Sequence, residues 1–225
     1  VTALDLGPDV AGPDLDRATA QGPTGFGPRP DLLRFGWASA VLERFPRLHL
    51  DWATSPDRAV RRAIMRSPDL PPIAAEAVVA ARRSGLHTLG GNPVAPAELL
   101  HRNPGAQRRR RAVDQALGAD GLRGAERRPD RPGLVDVGSA TVDLVLARSD
   151  RLGLATAQQL VGRTSPRPDP WVLARLAARF GDPLWSVVEG SVPADRRRAA
   201  AALAEVATAV AAEREASTPA VRPGR

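Results

Sequence analysis

Cysteine, lysine and tyrosine are absent from the 225 residues, and methionine occurs once. Without cysteine there is no disulfide, no thiolate metal ligand and no cysteine nucleophile. No apolar run approaches the roughly 18 to 20 residues of a membrane span. The opening stretch "VTALDLGPDV" lacks the basic and apolar regions of a secretory signal. Walker, G-x-G-x-x-G, G-x-S-x-G and H-E-x-x-H motifs are missing too. No two carboxylates are spaced as a matched acid and base. These absences predict a cytoplasmic protein with no membrane contact, no cofactor, no metal and no catalytic residues.

What is present is arginine. All 32 basic residues are Arg, and the formal charge is +7. Arg, Ala, Gly and Pro together are what GC-rich codons favour, so the charge reads either as a solvated surface or as a polyanion-binding one. Apolar residues make up 43%, enough to fold most of the chain around a core.

The chain divides by pattern. Residues 1–30 hold five Gly, five Pro and the acids Asp5, Asp9, Asp14 and Asp16, with no apolar period, and read as a disordered or loosely attached arm. From Asp31, a plausible N-cap, Leu33, Trp37, Ala40 and Val41 share one helical face. Ser-Pro-Asp then occurs at Ser55 and again at Ser67, and Asn-Pro follows at Asn92 and Asn103. Ser and Asn are good N-caps and Pro suits the first helical position, so each signal predicts a helix start. Val60, Ala63 and Ile64 form the stripe of one short helix, and Ile73, Ala77, Val78 and Ala81 that of the next. The starts step by about twelve residues, and Ser67 and Asn92 stand 25 apart. A fixed period of 20 to 50 residues marks a solenoid, in which each helix pair is too small to bury its own apolar face and stacked neighbours bury it together.

The segment "ATSPDRAVRRAIMRSPDLPP", with weaker copies at Asn92–Leu100, Asn103–Val113 and Pro168–Leu176, resembles the leucine-rich repeat variant. The likeness spans about residues 52 to 113. It implies an α-helix alternating with a short 3₁₀-like helix, related in shape to HEAT and armadillo repeats. The iron–sulfur cluster of some members is not implied, because its Cys ligands are absent. The expected fold is all-α, a right-handed superhelical solenoid over residues 31–192. A C-terminal capping helix follows over 193–215, striped by Leu203, Val206 and Val210, and then a disordered tail over 216–225. Within the repeat domain, "LVDVGSATVDLVLARS" suits a strand through Val135, Val137, Thr141 and Val142. It suits a helix capped by Ser139 better. Gly181 is a plausible helix stop and Asp182-Pro183 a further start.

Three groups are candidates for function. Between Arg102 and Arg131 nine Arg face four acids, including the run Arg108, Arg109, Arg110 and Arg111. Four successive Arg encircle a helix of 3.6 residues per turn and cannot share one face, so the block reads either as a phosphate- or acidic-peptide-binding surface or as a solvated helix whose Arg residues pair with Asp114, Asp120 and Glu126. Trp37, Trp52, Trp171 and Trp185 belong either to the core or, for Trp171 and Trp185 with Arg175 and Arg179 between them, to a stacking surface. Glu98 and His101 have an i, i+3 spacing that would need a second such pair to hold metal. The function expected is a non-enzymatic scaffold presenting its groove to a protein or peptide. The alternative is nucleic-acid binding through an Arg-rich face. HEAT-like DNA glycosylases resemble that layout, although none of their active-site residues has a match here. The sequence does not specify an oligomeric state.

Overall fold

The two Ser-Pro-Asp segments form turns rather than helix caps. In each, the Ser hydroxyl accepts from the backbone N–H two residues on, Ser55 from Asp57 and Ser67 from Asp69, both at 3.2 Å. Helix start moves accordingly: the first cap is Asp57, whose Oδ1 accepts from the Ala59 N–H at 2.7 Å. Asn92 makes the same kind of turn with Val94 at 3.1 Å. Its amide also donates back to the carbonyls of Met65 at 3.0 Å and Ser67 at 2.8 Å, joining two turns across 25 residues. Asn103 is a true N-cap, accepting from the Ala106 N–H at 2.9 Å with Pro104 at the first helical position.

The computed structural model describes residues 30–81 and 85–217, so the arm up to residue 29 and the tail from 218 lie outside the described residues. The described residues hold twelve α-helices and no strand. They are α1 (Pro30–Arg44), α2 (Leu48–Asp51), α3 (Arg58–Arg66), α4 (Pro72–Ala81), α5 (Leu86–Gly90), α6 (Pro104–Leu117), α7 (Gly121–Arg127), α8 (Ala140–Arg148), α9 (Leu154–Gly162), α10 (Pro170–Phe180), α11 (Asp182–Ser191) and α12 (Ala194–Ser217). A 3₁₀ turn, Ala97–Leu100, separates α5 from α6. The helical reading of the ambiguous stretch holds: Ser139 caps α8, accepting from Val142 N–H at 3.3 Å. Gly181, at φ 61°, stops α10 where a side chain would be strained.

Helix α1 differs from the one-faced helix its spacing suggests. Leu32, Leu33, Phe35, Trp37, Ala38, Val41 and Leu42 are all buried, because α3, α10 and α12 surround it. Asp31 lies inside α1 rather than capping it. In an open solenoid each unit touches only its neighbours. Here the first described helix packs against α10 and α12, so the apolar residues from both ends of the described chain share one core. Leu203 and Val210 of α12 are buried in it, and Val206 packs against it half-buried. Helix α12 begins at Ala194, and its buried Leu203 and Val210 belong to the same core as the buried residues of the helices before it.

The pairs α3–α4 and α8–α9 match in register. Arg58 and Ala140, 82 positions on, each open a nine-residue helix. Ser67 and Ser149 then form the same turn, with Ser149 Oγ accepting from Arg151 N–H at 3.3 Å. Val60 and Val142, Ile64 and Leu146, Leu70 and Leu152, and Val78 and Leu160 are buried at equivalent places.

Candidate anion-binding site

Most of the Arg residues marked by the sequence serve the fold. Arg110 pairs with Asp114 at 2.8 Å and closes the 92–95 turn, donating to the carbonyls of Asn92, Pro93 and Ala95 at 3.2, 2.5 and 2.7 Å. Arg179 does the same for another turn, donating to the carbonyls of Ser149, Asp150 and Leu152. Arg175 is buried and donates to Glu43 at 2.6 Å. Trp171 is fully buried with its Nε1 on Glu43 at 2.8 Å, so its ring offers no face to a ligand in solution, which corrects its place in the stacking set. Trp37 and Trp52 are buried as well, and Trp185 packs half-buried against the same core. Arg102 is exposed beside His101, whose Nδ1 meets the Glu98 carbonyl of its own turn. Arg108 and Arg111 are exposed, while Arg109 reaches His87 Nε2 at 2.9 Å and donates to the Gly138 carbonyl at 3.1 Å. The run therefore diverges, as four successive positions on a helix must. Among the described residues no group of three His, Asp or Glu could hold a metal, and no helix is long and apolar enough to cross a membrane.

A different set of Arg side chains converges. Arg58, Arg62 and Arg66 recur every fourth residue along one side of α3, opposite the buried Val60 and Ile64. The guanidinium groups of Arg62 and Arg66 both lie over the Phe35 ring of α1, each 5.3 Å from its centroid. Arg66 continues to Asp169, at the start of α10, with an N–O distance of 2.6 Å. Asp169 is buried and caps nothing with its side chain, so its charge is turned toward Arg66 rather than into its own helix. From the first turn of α12, Arg196 donates to the adjacent Pro168 carbonyl at 2.7 Å. Arg62 is half-buried and, among the described residues, makes neither a hydrogen bond nor an ion pair.

The electrostatics agree with the geometry. Burial pushes the Arg62 guanidinium below its ordinary value, and neighbouring Arg66, Arg196 and Arg58 push it further, with Asp169 opposing. Burial also lowers Arg196, against the pull of Asp169 and Asp195. Arg109 is lowered by burial and then by Arg66, with Asp143 opposing. Positive charge is thus concentrated where water is partly excluded. The period of four in "RAVRRAIMR" carried this signal, but it is masked in the sequence by the longer Arg run of α6, and nothing local shows that Phe35, Asp169 and Arg196 gather around it.

A second set of ionic contacts centres on the buried Glu43. Glu43 of α1 receives Trp171 and Arg175, and Arg148 of α8 lies 3.2 Å from it and 2.7 Å from Asp69. Burial opposes the Arg148 charge, but Glu43 and Asp69 outweigh it and raise its pKa. His49 is buried beside this set, with Nδ1–H donating to the Pro46 carbonyl at 2.6 Å and Nε2 left without a partner. Asp143 of α8 is held in a two-pronged pair with Arg163, at 3.0 and 2.5 Å, and burial raises its pKa to about 6 against that pull. Apart from the Arg face, a cleft of 410 Å³ lies between the 92–96 turn and α6–α7, floored by Pro93, Val94, Leu117 and Leu122. Comparison with family models, with curated proteins and with solved structures finds no match to this chain.

Proposed function

We propose that the chain is a non-enzymatic binding module that holds an acidic segment of a partner protein against the Arg58–Arg62–Arg66 side of α3. The observation that carries this reading is Arg62, a half-buried cation with five N–H donors and no acceptor among the described residues, held against Phe35. A charge kept partly out of water without a partner is a cost to the free protein, and a bound anion would relieve it. The finer architecture belongs to the same proposal. The helix pairs are read as turns of a right-handed superhelix of the leucine-rich-repeat-variant kind. The register shared by α3–α4 and α8–α9 and the Asn92 bridge between turns support this.

The test is fluorescence anisotropy with a labelled oligo-glutamate peptide. Binding should be measurable at low salt, weaken as salt is added, and be lost in Arg62→Leu. Equal binding by Arg62→Leu and the parent chain would overturn the reading. A second reading, binding of a nucleic-acid backbone, is favoured by the spacing of the row: Arg58 to Arg66 spans about 12 Å along α3 at 1.5 Å per residue. It predicts a log–log salt slope of about −0.9 per phosphate contacted on duplex DNA.

A further inference from the structure

The number of charges at this face indicates what kind of anion it would hold. Within electrostatic reach of Arg62 and Arg196 lie Arg58, Arg66 and Arg167, making five guanidinium groups against the two carboxylates Asp169 and Asp195. Asp169 is already held by Arg66. Asp195 lies next to Arg196 in the chain and binds its backbone N–H at 2.9 Å. Among the described residues, positive charge is therefore in excess around Arg62 and Arg196. One carboxylate brings a single charge and two acceptor atoms. A phosphate monoester brings about −1.5 to −2 and three strong acceptors. A phosphodiester in a nucleic-acid strand brings one charge per residue, spread along a line rather than gathered at a point.

The donors are also positioned in advance. The Phe35 ring lies against both the Arg62 and Arg66 guanidinium groups, and the Pro168 carbonyl fixes Arg196 through one nitrogen, with no second acceptor for its guanidinium among the described residues. Planar Arg forks held this way lose little freedom on binding and match phosphate oxygens two at a time. Among the described residues, the aromatic rings at this face, Phe35 and Trp171, are both buried and give bases no surface to stack on.

From this geometry we infer that Arg62, Arg66 and Arg196 form a receptor site for a phosphate monoester carried on a partner peptide, such as a phosphoserine in an acidic segment. The inference rests on the binding module proposed above and makes it specific. Phosphorylation of the partner would then govern the association.

The experiment titrates the full chain with four probes: a phosphoserine peptide, the same peptide with Glu in place of phosphoserine, inorganic phosphate, and duplex DNA. The phosphopeptide should bind at least about tenfold more tightly than its Glu counterpart, the effect of one added charged hydrogen bond. Inorganic phosphate should compete. The preference should fall between pH 7 and pH 5, as the phosphate takes up its second proton near pH 6. Arg62→Leu should abolish the preference, while Arg111→Leu, on the exposed side of α6, should leave it unchanged. Circular dichroism of both variants confirms that they fold. If the Glu and phosphoserine peptides bind equally, the acidic-peptide module stands and the phosphate site is overturned. If duplex DNA binds more tightly than either peptide and loses affinity in Arg62→Leu, the site serves a nucleic-acid backbone, and the inference falls with the peptide module. If no probe binds, both fall.

Discussion

The pairs α3–α4 and α8–α9 share a register but present different surfaces. Both bury the same ladder of aliphatic positions, both turn at a serine, and both end their first helix in an Arg that crosses to a distant carboxylate. Arg66 reaches Asp169, and Arg148 reaches Asp69 and Glu43. The difference lies on the side facing away from the ladder. Where α3 carries Arg58 and Arg62, α8 carries Ala140 and the buried Leu144. Where α3 has Arg61, donating to the Ser55 carbonyl at 2.5 Å, α8 has Asp143, paired with Arg163. The architecture of a helix pair is therefore satisfied by Leu at the place of Arg62. What the shared positions have in common is demanded by packing, and Arg62 is not among them. That separation is the strongest internal reason to assign Arg62 to binding rather than to stability.

The two matched Arg residues give the hardest test of the equivalence. Arg66→Ala leaves Asp169 buried without its cation, and Arg148→Ala leaves Glu43 and Asp69 with one partner fewer. Breaking a buried pair from one side costs about 3 to 5 kcal/mol. Both variants should show a loss in urea melts, with Arg148→Ala at the lower end because Glu43 keeps Arg175 and Trp171 and the Asp69 side chain is 45% exposed. A loss below about 1 kcal/mol for either would show that its pair is a surface contact and break the correspondence.

Ile64→Ala and Leu146→Ala come next. Both side chains are fully buried in one continuous core, and each truncation should cost about 2 to 5 kcal/mol. Because α1 ties the two ends of the described chain together, the melts should stay single and cooperative rather than losing one helix pair at a time. Two resolved transitions in either variant would show that the pairs respond as separate units, as in an open stack.

Periodicity made the short helices of residues 55–113 legible, along with the stop at Gly181 and the helix after Ser139. Those features depend on residues within a turn or two of each other. The Ser-Pro-Asp turns were misread as caps, with α3 capped two residues later at Asp57 and α4 starting only at Pro72, because a hydroxyl followed by proline suits an N-cap and an i to i+2 turn equally. Only the distance to the next N–H decides between them. The full burial of α1 was not legible, since it depends on α10 and α12 arriving from more than 120 positions away. The same holds for the proposed anion site. Its row on α3 was written in the spacing of Arg58, Arg62 and Arg66. The neighbours that make the row matter, Phe35, Asp169 and Arg196, come from three other places in the chain. The Arg108–Arg111 run was more conspicuous in the sequence. Arg110 closes a turn and Arg109 is tied to His87 and Gly138, because a carbonyl-rich turn bonded to an Arg is a cheap way to satisfy buried backbone groups.

Acid should act on the two regions in opposite directions. His49 lies on α2, which packs against α4, and burial lowers its pKa from 6.5, opposed by the Pro46 bond and Asp69. The unfolded chain then binds this proton more readily than the fold does. Its contribution is complete above pH 6.5 and is lost as pH falls below that value. Asp143 on α8 is raised from 3.8 to about 6, so the fold takes up that proton first. Its contribution is complete below pH 3.8 and is lost as pH rises through about 6. Melts at a series of pH values should show the acid-side loss reduced in His49→Leu and deepened in Asp143→Asn. Parallel profiles for both variants and the parent would show that neither group is linked to folding.

The smallest expected change in stability belongs to the residue with the largest expected role in binding. Arg62→Leu makes α3 resemble α8 at this position, where Leu144 is accommodated with only 4% of its surface exposed. Among the described residues Arg62 has no hydrogen bond or ion pair to lose, only its contact with Phe35. A cation over an aromatic ring is worth about 0.5 to 1 kcal/mol at an exposed site. Against that loss, the substitution removes repulsion from Arg58, Arg66 and Arg196 and buries an aliphatic side chain instead. The two nearly cancel, so the denaturation midpoint should move by no more than about 0.5 kcal/mol in either direction. Arg61→Leu, one residue away, should behave differently, because it frees the Ser55 carbonyl from its donor and costs about 1 to 3 kcal/mol. A clear destabilisation in Arg62→Leu, as large as that in Arg61→Leu, would mean that the Arg row is part of the packing. The difference between the two helix pairs would then reflect how each is built rather than what one of them binds.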